Sequence, residues 1–125
     1  MIKGIHHISM KCANDAELAK VKEFYVELLG LKICREWNAG LMLDTGNGYI
    51  EVFTNQEGEH RLGAIRHLAL LTDDVDSIVE KVRAAGYEIL VEPNDKDIPA
   101  EPVYPIRMAF CHGPLGEQIE FFAER

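Results

Sequence analysis

The sequence predicts an α+β fold of two βαβββ modules, each laying down a curved mixed sheet. Three observations point there. Ile5-His6-His7-Ile8 is echoed by Ile65-Arg66-His67-Leu68. Tyr49-Ile50-Glu51-Val52-Phe53 is echoed by Gln118-Ile119-Glu120-Phe121-Phe122. Between these landmarks each half carries one helix with the same apolar spacing, the mark of an internal repeat.

The elements follow in order. An apolar strand opens each half, at 5–12 and 65–72. A helix comes next: Leu18, Val21, Tyr25 and Leu28 share one face in the first half, and Val75, Ile78, Val82 and Ala85 in the second. Asn14 or Asp15, and Asp74, are the expected N-caps, with Gly30 and Gly86 just past the helix ends. Strands follow at Leu31–Trp37 and Tyr87–Glu92. Two more complete each half, Leu41–Asp44 with Tyr49–Thr54 and Ile106–Cys111 with Gln118–Phe122, each pair joined through a Gly-rich turn. The modules are therefore expected at 1–54 and 65–125, with a polar linker at 55–64. Glu92–Pro105 holds four of the five prolines and is expected to be a long loop.

The chain is 47% hydrophobic and 27% charged, with a net charge of -8. That is a globular profile, and its acidity disfavours a nucleic-acid partner. No apolar run reaches the roughly 20 residues that span a bilayer, and the N-terminus lacks a secretory pattern, so a cytoplasmic protein without membrane contact is expected. Cys12, Cys34 and Cys111 show no metal-binding spacing and are read as reduced thiols.

Alternation along a strand puts His7 on one face with Ile5, Ser9 and Lys11, and Glu51 on one face with Tyr49 and Phe53. His67 lies between Ile65 and Ala69, and Glu120 between Gln118 and Phe122. A carboxylate within an apolar strand needs a compensating cation. The repeat supplies one His and one Glu from each half, so His7, Glu51, His67 and Glu120 are the expected ligands of one divalent metal. Two imidazoles and two carboxylates suit Ni, Co or Zn, as well as Mn or Fe. His6 is expected on the helix side as a structural residue, and His60 and His112 in solvated turns.

The whole chain resembles the vicinal oxygen chelate superfamily, which includes glyoxalase I, methylmalonyl-CoA epimerase, extradiol dioxygenases and bleomycin-binding proteins. The resemblance rests on His7-Ile8, Phe24-Tyr25, Leu29-Gly30-Leu31, Ile50-Glu51, His67 with Asp73-Asp74-Val75, and the ending Gly113-Pro114-Leu115-Gly116-Glu117-Gln118-Ile119-Glu120. Gly113 stands where the family usually has Asp. The ligand order His, Glu, His, Glu resembles that of glyoxalase I (lactoylglutathione lyase). Lys11 stands where glutathione-dependent members usually carry Arg, keeping the charge without the bidentate fork.

The resemblance implies a lyase or isomerase acting on an α-ketoaldehyde–thiol hemithioacetal, or a similar small molecule with vicinal oxygens, through a metal-stabilised enediolate. Glu120 is then the first choice as base and Glu51 the second. Lys11, Arg35, Trp37, Tyr104 and Arg107 are weaker candidates for substrate contact. The alternatives are an epimerase of the methylmalonyl-CoA type and a small-molecule-binding resistance protein. A homodimer is expected, with each metal site shared between two chains.

Overall fold

The structure, a computed structural model, describes residues 1, 3–54 and 65–125; the expected linker at 55–64, with His60, lies outside them. The chain divides into two compact units, Met1–Glu59 and His60–Arg125. Each unit is a four-stranded mixed sheet with one helical segment. This is the expected α+β arrangement of two βαβββ modules.

In the first unit, β1 (His7–Lys11) leads to α1 (Asp15–Val21), which continues as a π-helical segment, Lys22–Leu28. Then come β2 (Lys32–Trp37), β3 (Gly40–Asp44) and β4 (Tyr49–Phe53), in the sheet order β1-β4-β3-β2. Asn14 caps α1, its side chain accepting the Glu17 N–H at 2.9 Å. Gly30, at φ 79°, takes the left-handed turn after the helix.

The π-helical segment departs from the sequence expectation, which gave the helix one regular α-helical stripe. Its wider turn is closed by Leu29 N–H donating to Phe24 O at 2.9 Å, five residues back. The neighbours Phe24 and Tyr25 are both fully buried. A regular α-helix separates adjacent side chains by about 100°, so the wide turn lets both rings reach the sheet. Cys12, Leu41, Leu43, Ile50 and Val52 are likewise buried on the covered side of the sheet.

The second unit repeats the plan. β5 (Leu68–Leu71), α2 (Val75–Ala84), β6 (Ile89–Ile98), β7 (Tyr104–His112) and β8 (Gln118–Glu124) give the order β5-β8-β7-β6. Asp74 caps α2 by accepting Ser77 N–H at 3.0 Å and Ser77 Oγ–H at 2.6 Å, which holds its carboxyl below the usual range. α2 buries Val75, Val79 and Val82, whereas Ala85, expected on this face, is exposed at the C-cap.

The expected long loop at Glu92–Pro105 is mostly strand. β6 runs on to Ile98 and β7 begins at Tyr104. β6 is an edge strand, where proline costs no ladder bond, and Pro93 falls in the register shift between Val91 and Asn94.

One close approach fixes the far end of the first sheet. A Cβ on Gly40 would stand 2.3 Å from Val52 O and 3.1 Å from the Trp37 ring. Backbone cannot yield as a flexible side chain can. Gly40→Ala is expected to destabilise the protein by about 1–3 kcal/mol in chemical denaturation; an unchanged midpoint would contradict this.

Candidate metal and substrate site

In each unit the first and last strands of the module pair in parallel and in register. His7 is opposite Tyr49 and Ser9 is opposite Glu51. His7 and Glu51 therefore share the face away from the helix, with Nε2 of His7 3.6 Å from Oε1 of Glu51. In the second unit Ala69 is opposite Glu120. His67, one residue before β5, reaches the same face, with Nε2 3.0 Å from Oε2 of Glu120. Each unit thus brings together one imidazole and one carboxylate by the same register.

The two pairs differ in their surroundings. Glu120 is the one buried charged residue among the described residues, at 8% exposure. The ring of His67 stands perpendicular to that of Phe110, with centroids 5.0 Å apart at 89°. His7 is more open, and its Nδ1 lies 2.9 Å from Nδ1 of His6.

Among the described residues no group of three or more His, Cys, Asp or Glu could hold a metal ion. Within each pair the donor chemistry fits one. Two donors each about 2.0–2.2 Å from the same ion stand roughly 2.8–3.6 Å apart for octahedral to tetrahedral angles. A carboxylate as buried as Glu120 calls for positive charge beside it.

Register also places the candidate substrate residues. Arg35 is opposite Met42, which is opposite Glu51, so Arg35 lies in the Glu51 row on its face. Trp37, Gly40, Phe53 and Lys11 form the next row. The indole of Trp37 crosses Gly40 and meets the Phe53 ring edge at 5.5 Å. Tyr104 donates its hydroxyl to Glu124 at 2.6 Å, and this raises the phenol above its ordinary range.

Arg107 is placed differently. It alternates with Met108 and Phe110, so it lies on the helix-covered face, opposite to that of Glu120. Its guanidinium donates to both Asp76 oxygens, at 2.6 and 2.7 Å, and to Asp95 at 2.9 Å. Arg107 ties α2 to the edge of the sheet, which removes it from the candidate substrate contacts. Its hydrogen bonds, and with them its charge, hold the Asp76 carboxyl below the usual range.

Two features were not expected. The imidazole of His6 packs on Tyr49, 5.1 Å between centroids, and does not turn to the helix side. Alternation fails there because the strand begins only at His7 and Gly4, at φ 138°, bends the approach. The doublet His6-His7 was the one available signal. At Gly113 a Cβ would stand 2.0 Å from Oε1 of Glu117. That carboxylate accepts Leu115 N–H at 2.9 Å, bracing the turn that an Asp side chain at 113 could brace. His112, on the Gln118 register, has its Nδ1 2.9 Å from Glu88 Oε2.

The three thiols are distinguished by burial. Burial pushes Cys111 up to about 12 and also raises Cys12, whereas Cys34 is exposed. Thiolate is the reactive form. A maleimide at neutral pH is expected to label Cys34 first by peptide mass mapping; faster labelling of Cys111 would contradict the packing.

The family model described as Glyoxalase/Bleomycin resistance protein/Dioxygenase superfamily matches residues 4–121. A solved structure of the protein SMU.1112c is 25% identical, with a TM-score of 0.78, over 98% of this chain and 99% of that one. A glyoxalase family protein from Enterococcus faecalis is 26% identical, with a TM-score of 0.72, over 96% and 97%. A glyoxalase/bleomycin resistance protein/dioxygenase from Alicyclobacillus acidocaldarius is 16% identical, with a TM-score of 0.71, over 98% and 92%. No curated protein matches the chain. Among the described residues no helix is long and apolar enough to cross a membrane.

Proposed function

The chain belongs to the Glyoxalase/Bleomycin resistance protein/Dioxygenase superfamily, and we propose that it is a metal-dependent lyase or isomerase of the glyoxalase I type. Its substrate is a small molecule with two vicinal oxygens, such as the hemithioacetal of an α-ketoaldehyde. The observation that carries this reading is the repeated His–Glu pair, with Glu120 buried 3.0 Å from His67 and Glu51 3.6 Å from His7.

His7, Glu51, His67 and Glu120 would hold the metal, with Ni, Co or Zn suited to the mixed nitrogen and oxygen donors. A divalent ion supplies the positive charge that stabilises two adjacent oxygens as negative charge develops on them. Glu120 takes the C–H proton from one carbon and returns it to the neighbouring carbon. Its burial keeps that proton from exchanging with solvent water. Glu51 has the same register and is the alternative base. Trp37 and Phe53 offer an apolar surface beside Glu51, with Arg35 and Lys11 on the same face to attract an anionic substituent.

The assembly we propose is a homodimer with two sites. Each takes His7 and Glu51 from one chain, and the partner's His67 and the partner's Glu120 complete it. Each half-site is formed within its own unit.

Two experiments test this. Glu120→Gln keeps an oxygen donor but cannot accept a proton. It is expected to lower kcat for methylglyoxal–thiol hemithioacetals by about 10²–10⁴-fold while retaining bound metal. Near-normal turnover, with Glu51→Gln inactive, would exchange the two roles. For the assembly, inactive His7→Ala and Glu120→Ala dimers are mixed under subunit exchange. A shared site puts both lesions in one of the two sites, and activity is expected to return in part. A mixture that exchanges yet stays inactive rules the shared site out.

A further inference from the structure

His6 is held at its ring and at its backbone. Its ring lies 5.1 Å from that of Tyr49, and Tyr49 N–H donates to His6 O at 3.0 Å. Tyr49 is also the cross-strand partner of His7. The rings of His6 and His7 meet nearly perpendicular, at 88°, with their Nδ1 atoms 2.9 Å apart. Two ring nitrogens at that distance share one proton, one ring donating and the other accepting.

We propose that His6 is a positioning residue that accepts the Nδ1–H of His7, and so presents the Nε2 lone pair of His7 on the Glu51 side. This rests on the reading of His7 as a metal ligand. A ligand nitrogen needs its lone pair, so the proton of a neutral His7 ring sits on Nδ1. His7 then donates, and His6 accepts while carrying its own proton on Nε2. Nε2 of His7 is 3.6 Å from Oε1 of Glu51, beyond hydrogen-bond distance, so that contact gives little hold on the ring proton. The partner that orients a ligand imidazole is commonly a carboxylate or a carbonyl; here an adjacent imidazole takes the place.

The second unit does this otherwise. The residue before His67 is Arg66, whose side chain has no acceptor, and the His67 ring packs perpendicular to that of Phe110. The two half-sites are thus alike in their donors and unlike in what aims them.

Zinc affinity by chelator competition and long-range proton–nitrogen spectra of the imidazoles test the inference. In zinc-loaded wild-type protein, His7 is expected to show a coordinated Nε2 and a solvent-protected Nδ1–H coupled to His6. His6→Phe keeps a ring against Tyr49 but has no acceptor. It is expected to lose that protection and bind zinc about tenfold more weakly. His6→Gln restores an acceptor and is expected to recover most of the affinity. His6→Phe with wild-type affinity and a protected Nδ1–H overturns the proposal, as does a coordinated nitrogen on His6 itself. Wild-type protein that takes up no zinc defeats the metal reading instead. The metal-free spectrum then decides: a His7 proton on Nδ1 coupled to His6 sustains the inference, and one on Nε2 ends it.

Discussion

Parallel, in-register pairing between the first and last strand of each module is the constraint on which the rest depends. Side chains of paired residues in a parallel ladder point to the same face. Ser9 opposite Glu51, and Ala69 opposite Glu120, therefore set an imidazole and a carboxylate side by side. A slip of one residue would send both carboxylates under the helices, among Val21 and Phe24 or Val79 and Val82. The apolar residues between them oppose that slip. Ile50 and Val52, and Ile119 and Phe121, are all but fully buried on the opposite face. The packing that stabilises each unit is also what aims its polar pair.

What the sequence made legible is what obeys a period. Strand alternation located His7, Glu51, His67 and Glu120 on their faces, and the caps Asn14 and Asp74 followed from local hydrogen-bonding chemistry. Departures occur where a period breaks. The π-helical turn depends on room for two adjacent aromatics under one sheet, which no spacing rule expresses. The length of β6 depends on its edge position, since proline is excluded only where both sides of a strand are paired. Arg107 has the composition of a ligand-binding residue. Its partner Asp76 comes from a helix 31 positions earlier in the chain, and only the fold brings the two together.

The halves have diverged more in support than in function-bearing groups. His7 leans on an imidazole that packs at a tilt against a tyrosine, while His67 meets a phenylalanine ring at right angles. The two carboxylates are nearly equally shielded, with 10% of the Glu120 side chain exposed and 14% of that of Glu51. Duplicated modules that keep the same donors can divide the chemistry between them when their surroundings differ. In the proposed reaction Glu120 would move the proton and Glu51 would hold charge.

The turn at Gly113 has a consequence for how this chain can change. Glu117 fills the space that a side chain at 113 would occupy and accepts the Leu115 N–H. Introducing Asp at 113 alone would crowd a second carboxylate against the first, and removing Glu117 alone would leave the turn unbraced. The two positions are coupled through one flexible side chain: an Asp at 113 has to move the Glu117 carboxylate aside, and in moving it gives up the Leu115 N–H contact that it then has to replace.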